Sequence, residues 1–138
     1  MSPSRFLDTN ILLYSVSRHG GEAAKRAAAV SLLADEDWSL SVQVLQEFYV
    51  QATRVTGSAA LPHDVAVDLV RGWQRFRVQP MTLAVFNDAL AIKEAFRLSY
   101  WDSAIVAAAR ASLCDEVYSE DMQHGQRIVG VQIVNPFR

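Results

Sequence analysis

The sequence predicts an α/β domain in which a parallel sheet is covered by helices on both faces. Two observations carry this expectation. Short apolar segments alternate along the chain with longer segments of helical periodicity. The clearest of the short segments are apolar throughout rather than alternating with polar residues, as strands buried on both faces are. The length fits one core. The 138 residues are 51% apolar and 20% charged, with no internal repeat, low-complexity tract or long linker. A single domain over 1–138 is therefore expected.

The elements follow in order. Arg5–Asp8 reads as a strand, with Asn10 as a cap for the helical turn after it. Gly20-Gly21 breaks the chain. Glu22–Asp35 is rich in Ala, Leu, Lys and Glu and reads as a helix, with Ala23, Ala27, Val30 and Leu33 or Ala34 as its apolar stripe. Ser39–Ser41 is a brief strand ending at a cap. Val44, Leu45, Phe48, Ala52 and Val55 then mark an amphipathic helix. Pro62 suits the first turn of the next helix, whose stripe is Val65, Leu69, Trp73 and Phe76. Arg77–Gln79 is a strand closed by Pro80. Thr82 caps a helix carrying Leu83, Phe86, Leu90 and Phe96, and Ser99 caps Tyr100–Leu113. Glu116–Ser119 and Val131–Val134 are the last two strands.

Charge and cysteine content narrow the function. A net charge of -2 argues against a strongly basic nucleic-acid clamp while leaving room for a local basic patch. The one cysteine, Cys114, forbids an internal disulfide and suits a reducing, cytoplasmic setting; it reads as a small buried side chain. No apolar run approaches the roughly 18 residues of a membrane span. The first residues lack the pattern of a secretory signal.

The carboxylates carry the chemistry. Asp8 ends the first strand, Glu47 lies early in the helix after the second, Asp102 lies in the first turn after Ser99, and Asp121 follows the fourth strand. In a parallel α/β fold these places share one edge of the sheet, where ligands bind at the point of strand-order reversal. Four carboxylates at close quarters repel one another unless protons or cations neutralise them. An oxygen-only donor set suits hard cations such as Mg²⁺ and Mn²⁺. Each acid also has a plain structural reading: a capping box for Ser99–Asp102, an exposed helix residue for Glu47, a turn for Asp121. Asp8 is the hardest to explain that way, because an unpaired buried carboxylate is costly. Glu120 is a possible substitute ligand.

Other catalytic patterns are missing. His19, His63 and His124 form no zinc cluster with Cys114; His63 suits the surface or a cap, and His124 is near enough to Asp121 to face a substrate. No nucleotide-binding glycine loop or nucleophile elbow is present.

The pieces "FLDTNILLYS", "VLQEFYV", "SYWDSAIVAAA" and "VYSEDMQHG" followed by "VQIVNPF" together resemble the PIN-domain ribonucleases, and especially the VapC-type toxins of prokaryotic toxin–antitoxin pairs. The resemblance extends over nearly the whole chain. It implies a three-layer α/β/α fold with a five-stranded parallel sheet. It implies four acidic ligands for Mg²⁺ or Mn²⁺, falling on Asp8, Glu47, Asp102 and Asp121, with Asn10 and Ser119 in support. It implies an endoribonuclease acting on RNA, a homodimer and a small antitoxin protein as partner. Arg18, Lys25, Arg26, Arg54 and Arg97 are candidate phosphate contacts. Tyr14, Tyr49 and Trp101 are candidate stacking residues, with core packing the preferred role for Trp101.

Two rivals remain at this point. An aspartyl-phosphate enzyme wants an Asp-x-Asp pair after its first strand, and Asn10 stands at the second position here. A PIN-like RNA- or protein-binding module without catalysis need not keep all four acids, and all four are present.

Overall fold

The computed structural model describes residues 4–54 and 59–138. Val55 of the third helix's expected stripe lies outside the described residues. The chain runs β1 (Arg5–Leu7), α1 (Thr9–Ser15), α2 (Ala23–Leu33), β2 (Trp38–Ser41), α3 (Val42–Ala52), α4 (His63–Gly72), β3 (Arg77–Gln79), α5 (Leu83–Phe96), α6 (Tyr100–Ala111), β4 (Glu116–Tyr118), β5 (Arg127–Ile128) and β6 (Val131–Val134). The strand order is β3-β2-β1-β4-β6-β5. Every pairing is parallel except β5–β6.

The five expected strands all form. The correction is β5, a sixth, antiparallel edge strand that makes a hairpin with β6. Two residues are too few to show a pattern, and the hairpin turn lacks the usual signal. Its central pair is Val129-Gly130, with φ of 47° and 84°. Both angles suit a type I′ turn, but a β-branched residue is a poor occupant of the first position.

The chain leaves β1 toward β2 and β3, then returns to the other side of β1 as β4. Right-handed crossovers therefore place α1–α4 on one face and α5–α6 on the other. The packing agrees: α1 lies against α2 and α3, α3 against α4, and α5 against α6. The sheet contributes Phe6, Leu7, Leu40, Val117 and Ile133 to the core, all fully buried. Helix α6 is buried continuously from Ser103 to Ala109. Its alanines let α5 and the sheet approach closely, which a ring of larger side chains would prevent. On the other face Phe48 meets Trp73 edge to face at 4.7 Å, an arrangement worth about 1 kcal/mol beyond area burial.

Several caps fall where the sequence places them. Ser41 accepts from Val44 N, Thr82 from Val85 N and Ser99 from Asp102 N. The cap of α1 is Asp8 rather than Asn10, with its carboxylate accepting from Thr9 N at 2.7 Å. Two apolar stripes are corrected. In α2 the residues Ala23, Ala27 and Val30 are exposed, and Ala29 and Leu33 are buried. In α5 the residues Leu83, Phe86 and Leu90 face outward, and Val85, Ala89 and Ile92 face the core. Leu83 is 74% exposed. Cys114 is buried, as expected. Among the described residues no helix is long and apolar enough to cross a membrane.

Candidate active site

The strand order reverses between β1 and β4, and a cleft forms beyond their carboxyl ends. Asp8 leaves β1 there and its N–H bonds to the carbonyl of Tyr118, at the end of β4. Ser119, Glu120 and Asp121 follow from β4. Glu47 comes from the second turn of α3 and Asp102 from the first turn of α6. These segments, with residues 16–22 and 59–61, border an open cavity of about 490 Å³ lined by Asp8, Glu47, Asp102 and Asp121, and at its side by Glu22.

Asp8 is the centre of a dense network. It is only 5% exposed. One oxygen caps α1; the other accepts from Ser119 Oγ at 2.7 Å and, at 3.5 Å, from Asn10 Nδ2. Asn10 Nδ2 also donates to Ser119 Oγ and, at 3.2 Å, to Asp121 Oδ2; its carbonyl accepts from Glu120 N. Ser119 is fully buried, and its Oγ accepts from Asp121 N. Asn10 and Ser119 thus hydrogen-bond to both Asp8 and Asp121.

On the opposite wall Glu47 accepts from Thr9 Oγ1 at 3.2 Å and from Gln43 Nε2 at 2.6 Å. Gln43 also donates to the carbonyl of Trp101. Thr9 and Gln43 went unnoticed in the sequence. The signal for Gln43 is there: it stands four residues before Glu47, where side chains of one helix meet.

The electrostatics follow from burial and crowding. Burial pushes the Asp8 carboxyl up to about 7, against the hydrogen bonds from Ser119 and Thr9 and with help from the charges of Asp121 and Asp102. Burial also raises Asp102, and the charges of Asp121 and Glu47 add to it. The side chains fit a hard cation by chemistry: oxygen donors only, gathered from four segments, with excess negative charge on one cavity. They are not closed into a cage. Among the described residues no three of His, Cys, Asp or Glu are grouped as metal ligands. Asp8, Asp121 and Glu47 lean on neutral side-chain donors instead, namely Ser119, Asn10, Thr9 and Gln43.

The remaining candidates sort clearly. Arg18, Arg54 and Trp101 line the same cavity, and Trp101 is 62% exposed rather than packed in the core. Tyr14 also lines it, but its hydroxyl donates to Glu120, which pairs with Lys25 Nζ at 2.6 Å. Glu120 is thereby drawn out of the cavity lining, and Lys25 is neutralised. Tyr49 turns to His63, its hydroxyl 2.7 Å from Nδ1. His124 accepts from Asn135 N and does not line the cavity. Arg97 is the left-handed C-cap of α5.

A parallel α/β/α domain with an acid-lined cavity at its strand-order reversal is the class that fold and site define. The chain belongs to the PIN domain family, whose family model matches residues 5–126. Among solved structures it is similar to a toxin–antitoxin complex from Klebsiella pneumoniae, at 19% identity over 97% of this chain and 98% of that one, with a TM-score of 0.72. It is also similar to Mycobacterium tuberculosis VapC20, a Sarcin-Ricin loop cleaving toxin, at 22% identity over 84% and 88%, TM-score 0.63. A third is FitAcB from Neisseria gonorrhoeae, at 18% identity over 96% and 97%, TM-score 0.64. Curated protein sequences include no significant match to this chain.

Proposed function

We propose that this chain is a divalent-metal-dependent endoribonuclease of the VapC type, the toxin of a type II toxin–antitoxin pair. The observation that carries the reading is the convergence of Asp8, Glu47, Asp102 and Asp121 on one cavity with no basic residue paired to any of them among the described ion pairs. Negative charge gathered in this way calls for a cation, and the family's use of Mg²⁺ or Mn²⁺ supplies one. Asp8 and Asp102 are the principal ligands in this reading, followed by Glu47, with Asp121 direct or through water. A divalent ion held by these carboxylates would supply Lewis acidity for water activation near neutral pH and for offsetting phosphoryl charge.

The chain's own residues do the rest. Asn10 and Ser119 orient Asp8 and Asp121. Arg18 and Arg54 meet the substrate's phosphates at the same cavity, and exposed Trp101 gives an unpaired base a surface to stack on. Water attacks phosphorus, the bond to the 3′-oxygen breaks, and the products carry 5′-phosphate and 3′-hydroxyl ends. The partners are RNA, an antitoxin protein and a second copy of the chain. The outward apolar row Leu83, Phe86 and Leu90 supports the homodimer.

The test uses antitoxin-free protein on structured and unstructured RNAs, with Mg²⁺, with Mn²⁺ and with EDTA. Folded Asp8→Asn and Asp102→Asn variants run beside it. Cleavage that requires metal and vanishes in both variants supports the reading. Cyclic-phosphate product ends, or cleavage that survives EDTA, overturn it.

A further inference from the structure

We infer that Gln43 is a positioning residue of the acidic site: its amide ties Glu47 of α3 to the first turn of α6 and so sets the place of Glu47 relative to Asp102. The inference rests on the functional reading above and deepens it. Gln43 is 4% exposed. Its Nε2 donates to Glu47 Oε1 at 2.6 Å and to the Trp101 carbonyl at 3.3 Å. Both partners are acceptors, so the amide has one usable orientation; turned over, its oxygen would face the Glu47 carboxylate. Its two N–H groups are therefore committed to two different helices.

The same orientation leaves Gln43 Oε1 buried without a partner. It is the single buried side-chain polar atom in that condition among the described residues. An orphaned buried carbonyl is destabilising, and buried polar groups left unsatisfied in a native fold call for an explanation. Stability alone would favour an apolar residue at this place, beside buried Val44 on the inner face of α3. The amide makes sense through what its nitrogen holds. Glu47 reaches the cavity from one helix and Asp102 from another, and Trp101, whose carbonyl Gln43 grips, adjoins Asp102. Thr9 Oγ1 fixes the second Glu47 oxygen, so the carboxylate is clamped on both sides.

The test measures Mn²⁺ binding by calorimetry at pH 8 on the full chain, with thermal melting beside it. The variants are Gln43→Met, which keeps length and removes the amide, and Gln43→Asn, which keeps the amide but draws it back by one methylene. Both should bind Mn²⁺ about tenfold or more weakly, the scale on which groups that orient metal ligands act. Gln43→Met loses two hydrogen bonds together with the orphaned carbonyl, opposing effects that should leave its melting temperature within a few degrees of the wild type. In a Glu47→Gln background, Gln43→Met should change Mn²⁺ affinity less than twofold, since there is then no carboxylate left to position. Unchanged affinity in the single variants overturns the inference. So does an equal loss with and without Glu47, which marks a general structural effect. A wild-type chain that takes up no Mn²⁺ removes the functional reading itself, and this inference with it.

Discussion

Asp8 gives the sharpest prediction, because its position sets stability and function against each other. The carboxyl titrates at about 7 in the fold against an ordinary 3.8. The native state therefore binds this proton more tightly than the unfolded chain does. Between these two values the native state holds more protons, so stability falls as pH rises. The loss begins near pH 4 and is complete above pH 7. Some three pH units separate the two values, and each is worth about 1.36 kcal/mol, so the ionised Asp8 destabilises the metal-free fold by roughly 4 kcal/mol at pH 8. Asp102, also raised, acts in the same direction. Asp8→Asn removes the charge. Its amide oxygen can still cap Thr9 N, but its NH₂ cannot accept from Ser119 Oγ as the carboxylate does at 2.7 Å, a loss of about 1 kcal/mol. In EDTA the variant should thus be about 1 kcal/mol less stable than wild type at pH 4 and about 3 kcal/mol more stable at pH 8, with the curves crossing between. Urea unfolding at pH 4, 6 and 8 measures the difference, in which titrating groups that do not interact with Asp8 cancel. Adding Mn²⁺ at pH 8 should raise the wild type alone. A variant that is less stable by the same amount at every pH refutes the account of Asp8 as a buried, uncompensated charge.

Two further predictions concern other parts of the fold. Val129 opens the β5–β6 turn at φ 47° with its side chain 44% exposed, so Val129→Asn should stabilise by about 1 kcal/mol and raise the melting temperature by a few degrees; an unchanged or lower melting temperature counts against strain there. Leu83 and Leu90 face outward on α5, and Leu83→Asp with Leu90→Asp should convert a dimer to a monomer with an unchanged circular dichroism spectrum. Light scattering after gel filtration reads the result, and a dimer that survives both changes places the interface elsewhere.

Much of the fold is legible in the sequence because local signals and tertiary structure agree. The short segments Arg5–Leu7 and Val131–Val134, mostly apolar, are strands with no competing pattern, and Ser41, Thr82 and Ser99 cap helices through the hydroxyl chemistry that favours them there. The two misread stripes share a physical cause. Helix α2 carries alanines on several faces, and a methyl group gives little preference for burial, so Ala23 and Ala29 cannot be told apart by residue type. Helix α5 is apolar on two overlapping faces, Leu83–Phe86–Leu90 and Val85–Ala89–Ile92, and the sequence shows the larger side chains while packing on α6 selects the smaller. Close approach to the alanine-rich α6 is what decides it. The four acids were legible because strand ends and helix starts share an edge in a parallel sheet. Thr9 was not, since its hydrogen bond to Glu47 joins two elements; for Gln43 the four-residue spacing to Glu47 was legible, but its bond to the Trp101 carbonyl of α6 was not. Trp101, expected in the core, is largely exposed and lines the cavity.

Three unfavourable polar groups of this fold are concentrated at one place. A carboxylate raised to about 7, a second raised beside it, and a buried amide oxygen without a partner all lie on or next to the same cavity. Elsewhere the polar groups are well matched: Arg110 meets Asp88 at 2.6 Å, and Arg5 lies over Trp38 while reaching Asp35 and Asp37. A sequence selected for stability alone would relieve the cavity first, because Asn at position 8 and an apolar residue at position 43 are conservative changes that fit the space. Their presence together in one cleft fits a cleft built for a ligand that neutralises it. The neutral donors Ser119, Asn10, Thr9 and Gln43 then have a second role. They keep Asp8, Glu47 and Asp121 in place against their mutual repulsion until the proposed cation binds, and its binding would restore the stability that this arrangement costs.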